Sequence, residues 1–167
     1  MSEPRPLLVV DGYNLLHADD TYRALADRDV ELGRRRLVDD VAVFAADRYE
    51  AVVVFDGGGP DPSAALGVRV EFSGNGEADT IVESLAFQAR EAGRRCLVVT
   101  SDRATRDAVL GRGVDAISSA VMLGHLSESE GEWRESRGRS PRVTIADRLD
   151  PATRARLQER IDPKRDP

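Results

Sequence analysis

Three short apolar runs in this sequence stop at an aspartate, and a fourth aspartate opens a helical pattern. Leu7-Leu8-Val9-Val10 ends in Asp11-Gly12, Ala51-Val52-Val53-Val54-Phe55 in Asp56-Gly57, and Leu97-Val98-Val99 in Thr100-Ser101-Asp102. Asp79 lies at the start of the helical stripe from Glu77 to Ala92, with Glu83 one turn later on the same face. Two acids at i and i+4 repel by a few tenths of a kcal/mol, and a cation is the economical way to offset that. Oxygen donors with no histidine or cysteine set beside them suit Mg²⁺ or Mn²⁺ rather than zinc. A cation held by a few carboxylates can orient a water, polarise a phosphodiester and stabilise the leaving oxygen.

Each of these acids also has a structural use. Asp11 and Asp56 precede glycines and suit turns. Asp79 is a favourable first-turn charge on a helix. Asp102 can cap the helix that follows it, a role compatible with binding an ion, and Asn14 can cap likewise. Glu83 is equally explained by a solvated helix face. Arg103 and Arg106, just after Asp102, suit phosphate contacts or a solvated face. Tyr13 could stack on a base or pack in the core, and the isolated His17 and His125 fit packing or surface positions. Gly57-Gly58-Gly59-Pro60 has neither the phosphate-loop lysine nor the dinucleotide glycine pattern.

The elements that must hold these residues follow from the patterning. The three runs, apolar on both faces, predict buried parallel strands. Val68 to Phe72 alternates and predicts an edge strand, and Val114 to Ile117 a short fifth one. Helices are predicted from about Val30 to Tyr49, from Glu77 to Ala92, from Ala104 to Leu110 and from Ser119 to Leu126. Strand alternating with helix gives an α/β fold: a mostly parallel central sheet of about five strands with helices on both faces. In such a sheet ligands bind beyond the carboxyl ends of the strands, where Asp11, Asp56 and Asp102 fall. The polar stretch Ser127 to Arg142 suggests a linker after a domain spanning 1–126. A C-terminal segment, 143–167, carries a short helix opened by Asp150-Pro151.

Composition narrows the class. The 167 residues carry 32% charged and 41% hydrophobic side chains, which is globular. The net charge of −6 argues against indiscriminate binding to nucleic acid. No apolar run is long enough for a membrane span, no leader pattern is present at the N-terminus, and Cys96 stands alone. A reduced cytoplasm is the expected location.

Leu8-Val9-Val10-Asp11-Gly12-Tyr13-Asn14-Leu15-Leu16 resembles the opening motif of NYN domains, a branch of the PIN-like nucleases. Val54-Phe55-Asp56-Gly57, Phe72-Ser73 with Glu77-Ala78-Asp79-Thr80, and Thr100-Ser101-Asp102 follow in that family's order, and the order is most similar to the YacP-like group. Arg148-Leu149-Asp150 leading to Leu157 resembles the group's closing helix. The resemblance implies a PIN-like three-layer sandwich and metal-dependent, endonucleolytic hydrolysis of RNA, with an association with translating ribosomes and mRNA. By position it makes Asp11, Asp79 and Asp102 the acidic metal-binding residues, and Asn14 and Asp56 supporting ones. Glu83 becomes an acid one turn beyond. The loop Gly57 to Gly67, however, carries no basic residue.

The expectation is a Mg²⁺- or Mn²⁺-dependent endoribonuclease. In it Asn14 and Thr100 or Ser101 position the water or the scissile phosphate, and Arg103 and Arg106 contact RNA. Two alternatives stand beside it. One is an RNA- or ribosome-binding module without catalysis. The other is a small-molecule phosphohydrolase, disfavoured because Tyr13 occupies the place where its aspartyl-phosphate form puts a second acid.

Overall fold

Every strand in the sheet is parallel to its neighbours, and the order of the five is β3-β2-β1-β4-β5. In the computed structural model, which describes residues 3–59 and 67–139, the strands are β1 (Leu7–Asp11), β2 (Glu50–Phe55), β3 (Val68–Phe72), β4 (Cys96–Val99) and β5 (Val114–Ile117). The helices among these residues are α1 (Gly12–Ala18), α2 (Asp20–Arg28), α3 (Val30–Ala45), α4 (Ala78–Glu91), α5 (Arg103–Val109) and α6 (Ser119–Arg139). The α/β class and the five-stranded sheet are as the sequence predicts.

Side chains alternate across a strand, and the two cores follow that alternation. Leu8, Val10, Val53 and Phe55 pack with Leu15, Leu16, Leu37, Val41 and Phe44 of α1 and α3, and with Met122 of α6. Leu7, Val9, Val52, Val54 and Val98 pack with Ala78, Val82, Ala86 and Ala89 of α4 and Val109 of α5. Both faces of β1 and β2 are therefore buried, which is why their sequences are unbroken apolar runs. The sheet winds outward in both directions from β1, whose neighbours are β2 and β4. The topological switch point lies between the ends of β1 and β4, from which the chain proceeds in opposite directions, the place where open α/β sheets bind ligands.

Two helices precede the first one predicted from periodicity. Both start on aspartate caps. Asp11 Oδ1 accepts the Asn14 N–H at 3.3 Å, and Asp19 Oδ1 accepts those of Thr21 and Tyr22 at 2.8 and 3.1 Å. Asp29 then caps α3 through the Glu31 N–H at 2.9 Å. These short helices are held by caps, and α1 has too few turns to show an apolar stripe.

The polar stretch predicted as a linker from Ser127 is helical as far as Arg139, continuing α6. Its glutamates and arginines are good helix formers, and Leu126 and Ser129 are buried. Glu130 pairs with Arg36 of α3 at 3.3 Å. Contacts divide the chain into Met1–Gly131 and Glu132–Pro167, and of the second unit only the α6 residues are described. The predicted C-terminal helix and its Arg148-Leu149-Asp150 motif lie outside the described residues. No described helix is long and apolar enough to cross a membrane. Cys96 is a buried free thiol whose pKa burial pushes up to about 11.

Candidate active site

Strand parity decides which acids meet. Leu7 and Val9 of β1 face α4, so Asp11, two residues on, points its side chain to the same side. The same count carries Val52 and Val54 to Asp56, and Cys96 and Val98 to Thr100. Three strand ends thus present Asp11, Asp56 and Thr100 toward the helix whose first turn holds Asp79. The contacts bear this out. The Thr100 hydroxyl donates to Asp11 Oδ2 at 3.5 Å, and the Ala78 N–H of α4 donates to Asp56 Oδ1 at 2.6 Å.

Electrostatics records the convergence. Asp11 is 6% exposed, and burial first, then the charges of Asp79 and Asp56, raise its pKa to about 6. The Asn14 N–H and the Thr100 hydroxyl oppose that rise. Asp79 is also raised, by burial and then by Asp102, with the Thr105 hydroxyl opposing and Asp56 and Glu77 adding. Asp102 moves the other way. The Thr105 N–H donates to its Oδ1 at 2.7 Å and, with the Thr105 hydroxyl, holds its pKa low. Asp102 is the settled anion of the group, while Asp11 and Asp79 bear the repulsion.

Asp56 has a definite task. The α4 cap residue, Glu77, makes no side-chain cap bond, and Asp56 accepts the Ala78 N–H in its stead. Asp56 therefore fixes the turn that carries Asp79. Asp56→Ala should lower stability by about 1 kcal/mol, the usual worth of a cap, a loss of about 2–4 °C in Tm. Thermal melts of the two proteins check this; an unchanged Tm would show that α4 is anchored elsewhere.

Asn14 joins several elements through its side-chain oxygen. Its Oδ1 accepts the Ser101 N–H and the Ser119 hydroxyl, both at 3.0 Å, and Ser101 Oγ accepts the Ser119 N–H at 3.1 Å. These bonds tie α1, the end of β4 and the start of α6 together beneath the acids. Glu83 is exposed, and the carboxylates acting most strongly on Asp79 are Asp102, Asp56 and Glu77 instead. Arg103 is an exposed side chain 3.9 Å from Asp107. Arg106 sits near enough to Asp102 to help lower its pKa. Tyr13 packs edge-on against Phe55, with centroids 5.2 Å apart, and its hydroxyl accepts from Arg34. That contact supports the packing reading.

Three residues were missed from sequence. Thr105 donates its N–H to Asp102 and helps lower the pKa of Asp79, and buried Ser119 holds Asn14. Arg34 donates to Tyr13 and pairs with Glu31, and its Nη2 lies 3.4 Å from the Gly58 carbonyl. Its guanidinium also lies 5.0 Å from the Phe72 ring centroid. The signal for Thr105 was available, since it stands three residues after the cap Asp102, where a capped N–H belongs. Arg34 and Ser119 act across long sequence separations and leave no local sign.

The acids of the site are oxygen donors, the type that hard divalent cations take, and they do not form a closed cage. Among the described residues no three histidine, cysteine or acidic side chains converge tightly enough to enclose a metal ion. Mg²⁺ usually keeps several waters and takes only one or two carboxylates directly, so Asp11 and Asp79, both raised chiefly by burial and further by neighbouring acids, could serve such a partner.

A parallel α/β sheet with carboxylates gathered at its switch point defines an acid-centred member of the three-layer fold class. A family model for the YacP-like NYN domain matches residues 8–162. The chain belongs to that family. It is similar to the crystal structure of Rae1 (YacP) from Bacillus subtilis at 27% identity, covering 93% of this chain and 89% of that one with a TM-score of 0.68. A mutant of the same protein matches at 24% identity over 92% and 99% of the two chains, with a TM-score of 0.66. None of the curated proteins matches the chain.

Proposed function

We propose that the chain is a divalent-metal-dependent endoribonuclease, with Mg²⁺ or Mn²⁺ as its cation and RNA, including mRNA on the ribosome, as its substrate class. The observation carrying this reading is the electrostatic linkage of the acids, Asp79 acting on Asp11 and Asp102 on Asp79, with Asp11 buried and its pKa lifted to about 6. Family membership supports the nuclease class.

Asp11, Asp79 and Asp102 would hold the cation, directly or through water. When bound, it supplies charge stabilisation for the phosphodiester and its leaving oxygen. The chain's own residues set the geometry. Asp56 and Thr105 fix Asp79 and Asp102, while Thr100 and Asn14 hold Asp11 and the turn at Ser101. Arg106, beside Asp102, is placed to meet a phosphate, and Arg103 lies one turn nearer the helix start. Glu83 is assigned at most an outer position.

Cleavage of a single-stranded RNA should require millimolar Mg²⁺ or Mn²⁺ and stop with EDTA, as read on a denaturing gel. Activity that persists undiminished in EDTA would overturn the metal-dependent reading. A second reading, a binding module without catalysis, is favoured by the open donor set among the described residues. RNA bound but uncut under both cations would establish it.

A further inference from the structure

Helices α4 and α5 lie side by side, and their outer faces lead away from the acids to an aromatic-arginine pair that the site does not use. At one end Thr105 of α5 lies close enough to Asp79 of α4 to help lower its pKa. At the other, Arg90 of α4 rests against Gly111, just past α5. A Cβ at Gly111 would come within 2.9 Å of Arg90 Nη1 and 3.3 Å of its Cδ. On α4 the positions Asp79, Glu83, Phe87 and Arg90 follow helical spacing. Along α5 and its two capping residues the corresponding series is Asp102, Arg106 and Leu110. Phe87 is 53% exposed and Leu110 51%, and the Arg90 guanidinium lies 5.3 Å from the Phe87 ring centroid. No carboxylate among the described residues pairs with Arg90.

A large aromatic held open to solvent, with an unpaired guanidinium on it, is the chemistry of a single-strand platform. The ring stacks a base of any identity and the guanidinium meets the backbone. Phe87 lies eight residues from Asp79, about 12 Å along the helix, a span of about three or four stacked nucleotides. We propose that Phe87 and Arg90, with Leu110 beside them, form a subsite for single-stranded RNA extending from the acidic site along the α4–α5 surface. Phe87 stacks a base and Arg90 contacts a phosphate. Arg106 supplies the contact nearer the acids, because Glu83 on the same stripe repels phosphate. The subsite rests on the ribonuclease reading and deepens it.

The test uses fluorescein-labelled single-stranded RNAs of about two and about twelve nucleotides, only the longer able to span the distance. Affinity is read by anisotropy in EDTA, and KM and kcat with Mg²⁺. Phe87→Ala should weaken binding of the longer RNA about 5- to 10-fold, since stacking on one aromatic is worth roughly that or more. It should raise KM alike and leave kcat, and affinity for the shorter RNA, within about 2-fold. Phe87→Trp should restore affinity, and Arg90→Gln should weaken it while lowering the salt slope by about one. Wild-type cleavage with unchanged Phe87→Ala affinity would overturn the subsite and leave the ribonuclease reading standing. A wild type that neither binds nor cuts RNA would overturn both. A Phe87→Ala protein that alters oligomeric state in sedimentation but not RNA affinity would reassign the patch to a protein partner, against the proposal.

Discussion

Asp79→Asn should cut RNA about 10²- to 10³-fold more slowly than the wild type, the usual cost of removing one stabilising group from a polar active site, while melting within about 2 °C of it. Two small effects on stability oppose each other. The substitution relieves repulsion from Asp102, Asp56 and Glu77, which together with burial raises the Asp79 pKa. It also removes a negative charge from the first turn of α4, worth about 0.3–1 kcal/mol against the helix dipole. The Asn side-chain oxygen can still accept from Thr105. A large loss of activity with no loss of fold is therefore expected of Asp79, whereas Asp56→Ala, which removes the α4 cap, should lose both in part. The comparison separates a residue that acts in the reaction from one that positions it. Full activity in a well-folded Asp79→Asn protein, purified free of other nucleases, would remove Asp79 from the site.

How much of this was legible depended on the range of each signal. The strands were legible because β1 and β2 are buried on both faces and must be continuous apolar runs. Helix α4 was legible because Ala78, Val82, Ala86 and Ala89 form one buried stripe. Helices α1 and α2 were not, because their starts are set by single aspartate caps and their length gives periodicity little to repeat. The far half of α6 was misread as a linker because its sequence is polar nearly all round, and a contact such as Arg36 with Glu130, 94 residues apart, is invisible along the chain.

The site shows the same division. Strand-end logic set Asp11 and Asp102 at or just past the carboxyl ends of the neighbouring strands β1 and β4, and parity, counted from the apolar residues before them, also accounts for Asp11 and Asp56 lying on the α4 side. The exchange of caps was hidden: Asp56 completes α4 from 22 residues away, while the neighbouring Glu77 does not. Arg34, held by Tyr13, Glu31 and the Gly58 carbonyl, was equally hidden, since only the folded chain places an arginine of α3 beside the loop after β2.

The second large effect concerns stability in the absence of metal. Asp11 has a folded pKa of about 6 against 3.8 for the unperturbed group. Below pH 3.8 both the folded and unfolded chains carry the proton, and burial of a neutral carboxyl exacts no electrostatic penalty. As pH rises the unfolded chain ionises first, so unfolding releases a proton and the folded state loses stability until Asp11 itself ionises near pH 6. About two pH units at 1.36 kcal/mol each give a loss of about 3 kcal/mol above pH 7. Asn at this position never ionises and still caps α1, though its buried amide donors need partners and take back about 1–2 kcal/mol. Metal-free Asp11→Asn should therefore gain on the wild type as pH climbs from about 4 to 7, ending about 1–2 kcal/mol more stable, some 2–8 °C in Tm. Saturating Mg²⁺ should erase the difference by stabilising only the wild type. Melts across that pH range, with EDTA and with Mg²⁺, check both halves. A gap independent of pH would mean that Asp11 is not the strained carboxyl, and a wild type indifferent to Mg²⁺ and Mn²⁺ would mean that the acids gather for some purpose other than a cation.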